Sequence, residues 1–241
     1  MFDKTAAHKI KMIVLGDTGV GKTTLVARFC GRDLPKFAPT IGCNFNSVKV
    51  PAGSLNDLPV GMITPDFALN IWDTAGQERY HSILDLYFQD VDVCLLVYDV
   101  NDNTSLIRLF EVWLPRYFKS KYNNTLHYER TLFYLVGNKD DKDEINPKTS
   151  EHLRTTLHLY KDSIKKYQIK IWTVSALRNQ YIDDLLSNIK STVVRHVLPH
   201  KNEARALKSD LVSLVGQVND ETNTHNFNAW KTWITSACTV L

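Results

Sequence analysis

Short apolar runs alternate along the chain with longer stretches whose apolar residues recur at helical spacing. The runs that predict buried strands are Lys11–Leu15, Val91–Val100, Leu132–Val136 and Ile169–Val174. The stretches with helical spacing are Lys22–Phe29, Ser105–Phe118, Glu151–Tyr167 and Ile182–Val197. This alternation predicts an α/β fold in which a mostly parallel sheet is covered by helices on both faces.

One pair of segments has a different pattern. Asn44–Val50 and Phe67–Trp72 alternate apolar and polar residues, as half-buried strands do. We expect them to pair as an antiparallel hairpin, although hairpin loops usually have only about two to five residues. The connection Pro51–Pro65 carries three prolines and two glycines, which predict a long loop.

The pattern changes again near Pro199. Residues 1–198 carry the strand and helix alternation, so we expect them to form one domain. Residues 199–241 are expected to be a separate, flexible tail, in which only Ala204–Val218 has helical spacing and Asn219–Asn228 is rich in Asn and Thr.

Composition narrows the possible classes of protein. The 241 residues are 44% hydrophobic and 23% charged, which is enough apolar material for a core. A net charge of +3 is too small to predict nucleic-acid binding. The four cysteines have no metal-ligand spacing, so we expect a reducing, cytosolic compartment. The sequence also lacks the run of about 18 apolar residues that predicts a membrane-spanning helix.

A phosphate-binding motif follows the first predicted strand. The segment Gly16-Asp-Thr-Gly-Val-Gly-Lys-Thr23 is a complete P-loop, placed between a strand and a helix as its chemistry requires. Its glycines let backbone N–H groups turn toward phosphate oxygens, and the helix N-terminus favours anions. Lys22 supplies charge to the β and γ phosphates, and Thr23 offers a hydroxyl to Mg²⁺. This motif fixes a nucleoside triphosphate but not its base.

A second motif, Asp73-Thr-Ala-Gly76-Gln77-Glu78, follows the strand Phe67–Trp72. Asp73 can hold Mg²⁺ beside a P-loop, and Thr40 can give the metal a second hydroxyl. Because Gly76 has no side chain, its N–H group can approach a γ-phosphate closely. The side-chain amide of Gln77 can orient an attacking water.

A third motif selects the base. Asn138-Lys139-Asp140-Asp141 leaves a buried strand at its carboxyl end, where open α/β sheets bind ligands. The Asp141 carboxylate can accept from N1–H and the exocyclic amine of guanine, a pair that adenine does not present. The Lys139 stem can cover the base, and Ser175-Ala176-Leu177 can support it from the other side.

With these three motifs in order, the sequence resembles the Ras superfamily of small GTPases. The segments Thr40-Ile-Gly-Cys-Asn-Phe45, Trp72-Asp-Thr-Ala-Gly-Gln-Glu-Arg-Tyr80 and Leu96-Val-Tyr-Asp-Val100 look like the Rab branch. The resemblance, which runs from Lys9 to about Pro199, implies a six-stranded sheet with one antiparallel edge strand and five helices.

The resemblance also implies a function and its residues. It implies slow GTP hydrolysis, with Gln77 and Lys22 as catalytic residues and with Thr23, Thr40 and Asp73 as Mg²⁺ ligands. The GTP or GDP would be held by Gly16, Asp17, Thr18, Gly19, Val20, Gly21, Lys22, Thr23, Thr24, Thr40, Gly76, Asn138, Lys139, Asp141, Ser175, Ala176 and Leu177. Effectors, an exchange factor and a GTPase-activating protein would bind two switch surfaces, residues 33–45 and 73–88, in membrane traffic.

The chain departs from the family pattern in several places. Leu34 stands where an aromatic residue usually covers the guanine edge, and Leu177 replaces a lysine. The stretch Leu86–Asp92 differs from the usual Tyr-Tyr-Arg-Gly-Ala, so effector recognition should differ. The loop 51–65 and the region 143–166 are longer than usual; the second resembles the insert of the Rho branch.

The last four residues, Cys238-Thr-Val-Leu241, fit a prenylation box whose final leucine predicts geranylgeranylation. One prenyl chain gives weak membrane binding and normally needs a second signal. Acidic and basic residues are balanced in the tail, so no polybasic signal is predicted. Trp230 and Trp233 can lie at the membrane interface or on a partner.

Three other functions stay open at this point. One is a protein that holds GTP but barely cycles, which Leu34 and the Leu86–Asp92 stretch favour. Another is a signalling GTPase of the Rho or Ras type. The third is an ATP-using P-loop kinase, against which Asn138–Asp141 argues.

Overall fold

The computed structural model describes residues 8–34, 40, 42–55, 58, 65–76, 85–120, 130–141 and 147–203. The chain is divided into two compact units, Met1–Val194 and Arg195–Leu241. In the first unit the described residues form a sheet with helices, and in the second the described residues are helical. Several predictions fall outside these ranges, namely those for Gln77, Cys238, the tail from residue 204 and parts of both switch segments.

The sheet has six strands in the described residues. They are β1 (His8–Leu15), β2 (Cys43–Val50), β3 (Phe67–Thr74), β4 (Val93–Asp99), β5 (Leu132–Asn138) and β6 (Lys170–Thr173). Their order across the sheet is β2-β3-β1-β4-β5-β6. All neighbouring pairs are parallel except β2 with β3, which pair antiparallel from Cys43 opposite Thr74 to Val50 opposite Phe67. The predicted mostly parallel sheet with one antiparallel edge strand is therefore confirmed.

Helices follow most of the parallel strands. They are α1 (Lys22–Phe29), α2 (Asn103–Lys119), α3 (Pro147–Leu159), α4 (Lys161–Lys166) and α5 (Ile182–Thr192). Helix α2 is α-helical over Asn103–Arg108 and Leu114–Lys119 and has one π turn, Leu109–Trp113, between them. Short segments complete the description, a 3₁₀ turn at Asp85–Tyr87 and a π turn at Val193–Val197.

The central strands β1, β4 and β5 form the floor of the core. Every residue from Val93 to Tyr98 is buried, as expected for a parallel strand covered on both faces. On one face these strands pack against α2, where Trp113 and Tyr117 are fully buried. Each such large apolar side chain contributes about 1.5–3 kcal/mol by leaving water. This buried core keeps the carboxyl ends of the strands, which carry the candidate site, in fixed positions.

Five parallel strands place their carboxyl ends at one edge of the sheet. The P-loop follows β1, Asp73 lies at the end of β3, Asp99 ends β4, Asn138 ends β5, and Ser175 comes just after β6. Open α/β sheets bind ligands at this edge. The topology alone therefore brings the three sequence motifs together.

Three predicted helices differ in detail from the observed ones. The predicted helix Glu151–Tyr167 is two helices that meet at Tyr160, and the stretch around Trp113 contains a π turn. The predicted helix Ile182–Val197 is α-helical to Thr192 and ends in the π turn Val193–Val197. None of the helices in the described ranges is long and apolar enough to cross a membrane.

Candidate functional site

The loop between β1 and α1 has the backbone shape of a phosphate cradle. Gly21 has φ +95°, a left-handed conformation that favours glycine, and α1 begins at the next residue. A Cβ atom at Gly21 would overlap the side-chain amide of Asn138. Glycine is thus required both by the turn and by the close approach of the base-binding loop. The first N–H groups of α1 face the cradle, where they favour an anion.

Lys22 is buried within this loop. Only 6% of the residue is exposed, and its ammonium donates to the carbonyls of Gly16 and Asp17 at 2.7 Å each. Burial lowers the pKa of Lys22 to about 8, although the carboxylates of Asp73 and Asp17 act in the opposite direction. A buried ammonium held by two carbonyls is poised for an anionic phosphate.

Three oxygen-bearing side chains meet beside the loop. The hydroxyls of Thr23 and Thr40 lie 2.8 Å apart, although the two residues belong to different segments. Asp73 is buried, and its Oδ1 accepts no hydrogen bond within the described part of the chain. Burial raises the pKa of Asp73, while the Thr23 hydroxyl and Lys22 lower it. A buried carboxylate oxygen with two nearby hydroxyls is the donor chemistry that Mg²⁺ prefers.

Among the residues that the structure describes, no acidic or histidine-rich cluster competes with that arrangement. The described ranges contain no group of three or more His, Cys, Asp or Glu residues that could hold a metal ion. The oxygens of Thr23, Thr40 and Asp73 are the candidate metal site on their own geometry, and they fit a cation whose other ligands are phosphate oxygens and water.

Gly76 lies directly against the P-loop. A Cβ atom there would overlap the backbone between Asp17 and Thr18. Only glycine allows the chain after β3 to approach the phosphate cradle this closely. The next residue, Gln77, lies outside the described residues, so its predicted role remains a prediction.

Asn138 joins the loops of the site. Its side-chain Nδ2 donates to the carbonyl of Val20 at 2.9 Å, and its Oδ1 accepts from the N–H of Ala176 at 3.0 Å. Its own carbonyl accepts from the N–H of Val100. The residue is 2% exposed, so each of these bonds is shielded from water. The side chain of this one residue thus connects the P-loop with the loop at Ala176, and its backbone adds a bond to Val100.

Asp141 and Ser175 form the predicted base-selecting corner. The Ser175 hydroxyl donates to Asp141 Oδ1 at 2.8 Å and accepts from the N–H of Arg178 at 3.0 Å. These bonds fix the Asp141 carboxylate, which is partly exposed. A fixed carboxylate at the sheet edge suits recognition of two parallel N–H donors on a base.

Sequence reasoning missed a support for Lys139. Lys139 has φ +69°, an uncommon conformation for a residue with a side chain. Its ammonium pairs with Asp99 at 2.8 Å, and its carbonyl accepts from the Asn101 side chain at 3.1 Å. Burial acts to raise the pKa of Asp99, but hydrogen bonds from Lys139 and Asn101 lower it more.

Arg28 is a second residue that the motifs did not reveal. From α1 it donates to the carbonyl of Ala176 at 2.8 Å and to that of Leu177 at 2.7 Å. No local sequence pattern indicates these contacts, because both partners lie far away in sequence. Arg28 thus ties the helix that starts at the phosphate cradle to the loop that was predicted to support the base.

The two leucines that depart from the family pattern are exposed. Leu34 is 37% exposed and Leu177 is 54% exposed. Leu177 is nevertheless held in place through its carbonyl by Arg28. Both therefore present apolar side chains at the surface, Leu177 from the loop that was predicted to support the base.

The remaining predicted residues lie where the motifs required. Thr18, Gly19 and Val20 complete the turn before α1, and Thr24 lies in its first turn. Val20 is buried, so it packs the loop onto the core. These residues belong to the same loop and helix as Lys22 and Thr23, and their contacts with a nucleotide remain a prediction.

Comparisons with known proteins agree with this geometry. The model of the Ras family matches residues 11–195. Human Ras-related protein Rab-17 is 31% identical over 201 residues, which is 83% of this chain and 82% of that protein. Bovine Rab-27B is 28% identical over 82% of this chain and 85% of that protein. The Ypt/Rab-type GTPase ypt7 of Schizosaccharomyces pombe is 35% identical over 57% of this chain and 61% of that protein.

A P-loop, an Asp-x-x-Gly segment and a base-selecting loop at one edge of a six-stranded sheet define a guanine-nucleotide switch. The chain belongs to the Ras family of small GTPases, and within it to the Rab branch. It binds GTP and GDP and hydrolyses GTP.

Proposed function

We propose that this protein recruits effectors to an intracellular membrane when it holds GTP, and that it hydrolyses the GTP slowly. Three parts of this function go beyond family membership. They are the residues that bind the nucleotide, the surface whose conformation depends on the bound nucleotide, and the attachment to a membrane. Each is supported by separate features of the chain.

The observation that carries the proposal is a partly exposed aromatic cluster, Phe45, Trp72 and Tyr87. The rings of Phe45 and Trp72 are 5.2 Å apart, and those of Trp72 and Tyr87 are 5.0 Å apart. Phe45 is 54% exposed. Exposed aromatic side chains are typical anchors of protein interfaces. This cluster joins the proposed switch segments 33–45 and 73–88, so a change in either segment alters the surface that an effector contacts.

We expect residues from both switch segments to contact the γ-phosphate. The Thr40 hydroxyl bonds to Thr23, and Gly76 lies against the P-loop. When GTP binds, the Lys22 ammonium would exchange the carbonyls of Gly16 and Asp17 for phosphate oxygens. Binding or loss of one phosphate thereby changes the order of segments that lead directly to the aromatic cluster.

Mg²⁺ would be held by Thr23, Thr40 and Asp73, and when bound it neutralises charge on the β and γ phosphates. The buried Oδ1 of Asp73 supports this assignment, since an oxygen without a hydrogen-bond partner suits a cation, directly or through water. The base would be selected by Asp141, which Ser175 orients, with the Lys139 stem along its face.

Hydrolysis would depend on Gln77, whose amide is proposed to orient the attacking water. Slow turnover is proposed because the chain resembles small GTPases, in which an arginine that stabilises the transition state is often supplied by another protein. A GTPase-activating protein would supply that charge. Leu34 favours a second candidate, a GTP-holding protein that barely cycles, because an aliphatic cover holds a base less firmly than an aromatic ring.

The membrane attachment is proposed to be a prenyl group on Cys238. Because the tail has no excess of basic residues, a single lipid would bind the membrane weakly. The choice of membrane would therefore come from partners. A tagged wild-type protein is expected to lie on an intracellular membrane, and a Cys238→Ser variant in the cytosol. A soluble wild type would remove the lipid anchor from the proposal.

The switch itself is tested by fluorescence and by single-turnover hydrolysis. We expect the tryptophan emission of the protein to differ between its GDP form and its form with a non-hydrolysable GTP analogue. Trp72→Phe should abolish most of that difference because Trp72 is the centre of the cluster. Gln77→Leu should slow hydrolysis of preloaded GTP further. Identical emission spectra in the two nucleotide states would contradict the switch, and absent turnover with any activator would favour the GTP-holding alternative.

A further inference from the structure

The π turn of helix α2 places two donors on one P-loop carboxylate. In this turn the N–H of Leu114 donates to the carbonyl of Leu109, five residues earlier. Such turns are rare within α-helices and occur frequently at functional sites. Arg108 and Trp113 lie at its two ends and are also five residues apart.

Both side chains reach Asp17. The Nε of Arg108 donates to Asp17 Oδ2 at 2.6 Å, and the indole Nε1 of Trp113 donates to Asp17 Oδ1 at 2.7 Å. In a regular α-helix, residues five apart point about 140° away from each other. The wider π turn is what allows Arg108 and Trp113 to face the same carboxylate.

The anchored carboxylate fixes a part of the backbone that the phosphate site uses. The carbonyl of Asp17 accepts from the ammonium of Lys22 at 2.7 Å. The peptide between Asp17 and Thr18 is also the surface against which Gly76 packs. The orientation of Asp17 therefore sets the positions of both Lys22 and Gly76.

The two donors to Asp17 differ in burial and in charge, so they contribute in different ways. The Trp113 side chain is fully buried and cannot move without disturbing the core. The Asp17 side chain is 19% exposed and that of Arg108 is 39% exposed. A carboxylate this close to bound phosphates would repel them, and the Arg108 guanidinium offsets that charge.

We propose that Arg108 and Trp113 are positioning residues for nucleotide binding and hydrolysis, and that they act through Asp17. The inference rests on the proposed role of residues 16–23 as the phosphate loop. It assigns to the π turn the task of holding the P-loop in place through the Asp17 side chain.

The test measures single-turnover hydrolysis of preloaded GTP and release of a fluorescent GDP analogue. Arg108→Gln and Trp113→Phe should each speed release and slow hydrolysis by about three- to tenfold, since each removes one hydrogen bond to a charged group. Arg108→Lys should change both rates less than Arg108→Gln does, because lysine keeps the positive charge. Tyr160→Phe is the matched control: it removes the bond from Tyr160 to Glu111 in the same π turn but leaves Asp17 untouched.

The decisive measurement repeats both substitutions in an Asp17→Ala background. If the two residues act through Asp17, Arg108→Gln and Trp113→Phe will change neither rate further in that background. Equal effects with and without the Asp17 carboxylate would overturn the inference, as would wild-type rates in both single variants. Failure of the wild-type protein to bind GTP would instead overturn the phosphate-loop assignment, so the two failures are distinguishable.

Discussion

Asn138 donates its side-chain amide to the carbonyl of Val20, and this 2.9 Å bond ties the base-selecting loop to the phosphate loop. The same side chain accepts from the N–H of Ala176. Because both bonds are buried, the two halves of the nucleotide site are held in one geometry. A single amide is thus responsible for much of the pre-organisation of the site.

We predict that Asn138→Ala releases bound GDP about 30-fold faster than wild type. The variant loses two hydrogen bonds worth about 1 kcal/mol each, and about 1.4 kcal/mol corresponds to a tenfold change. Release of a fluorescent GDP analogue measures the rate. Asn188→Ala is a suitable control, since Asn188 accepts from Tyr134 away from the P-loop. An unchanged rate in Asn138→Ala would refute the role of this bond.

A substitution at Leu34 tests whether the side chain at this position covers the guanine base. We expect Leu34→Phe to slow GDP release by about three- to tenfold, because stacking of a base on an aromatic ring is worth about 1–3 kcal/mol and leucine already supplies part of the contact. Leu159→Phe, at another exposed leucine, should leave the rate unchanged. If both variants release GDP like wild type, Leu34 does not cover the base.

The pair formed by Asp99 and Lys139 should appear in the acid stability of the protein. The pKa of Asp99 is below its unfolded value, so the unfolded chain binds the proton first as the pH falls. The stabilisation by Asp99 is therefore present above about pH 4, near the unfolded pKa, and is lost as the pH falls through the lower folded value.

We predict that Asp99→Asn lowers the free energy of unfolding by about 1 kcal/mol at pH 7, the size expected for a partly buried pair with hydrogen bonds. The difference from wild type should shrink as the pH falls below about 4. Urea unfolding of both proteins at several pH values, in saturating GDP, measures it. A difference that does not depend on pH would contradict the assigned protonation.

Metal dependence tests the hydroxyl of Thr23. We expect Thr23→Ala to need roughly tenfold more Mg²⁺ than wild type to retain its nucleotide, because it loses one oxygen ligand. Thr23→Ser keeps the hydroxyl and should behave like wild type. Titration of nucleotide release with a chelator gives the comparison. Equal Mg²⁺ requirements for Thr23→Ala and wild type would remove this residue from the metal site.

Much of the fold could be predicted because the parallel strands are buried on both faces. The segment Val93–Asp99 is almost continuously apolar, and the hairpin strands alternate as half-buried strands do. The motif residues also lie where strand ends must meet, so the sequence placed Asp73 and Asn138 at one edge of the sheet. Local pattern and topology agree at these positions.

The rest depended on contacts that no local pattern reveals. The residues at the two ends of the π turn Leu109–Trp113, Arg108 and Trp113, bond to Asp17, which lies 91 and 96 positions away in sequence. Arg28 looked like an ordinary helix residue because its carbonyl partners are 148 and 149 positions distant. Lys139 has a left-handed backbone and a carbonyl that accepts from the distant Asn101 side chain, and the sequence shows neither.

Base selection by Asp141 is the most direct test of the account, since a GTP-specific switch requires that carboxylate. Xanthine has a carbonyl where guanine has its exocyclic amine, so an amide at this position should match xanthine. Competition binding of GDP and xanthosine diphosphate should show that wild type prefers GDP and that Asp141→Asn shifts the ratio of the two affinities by about 100-fold or more toward xanthosine diphosphate. An unchanged preference for GDP in Asp141→Asn would contradict the account.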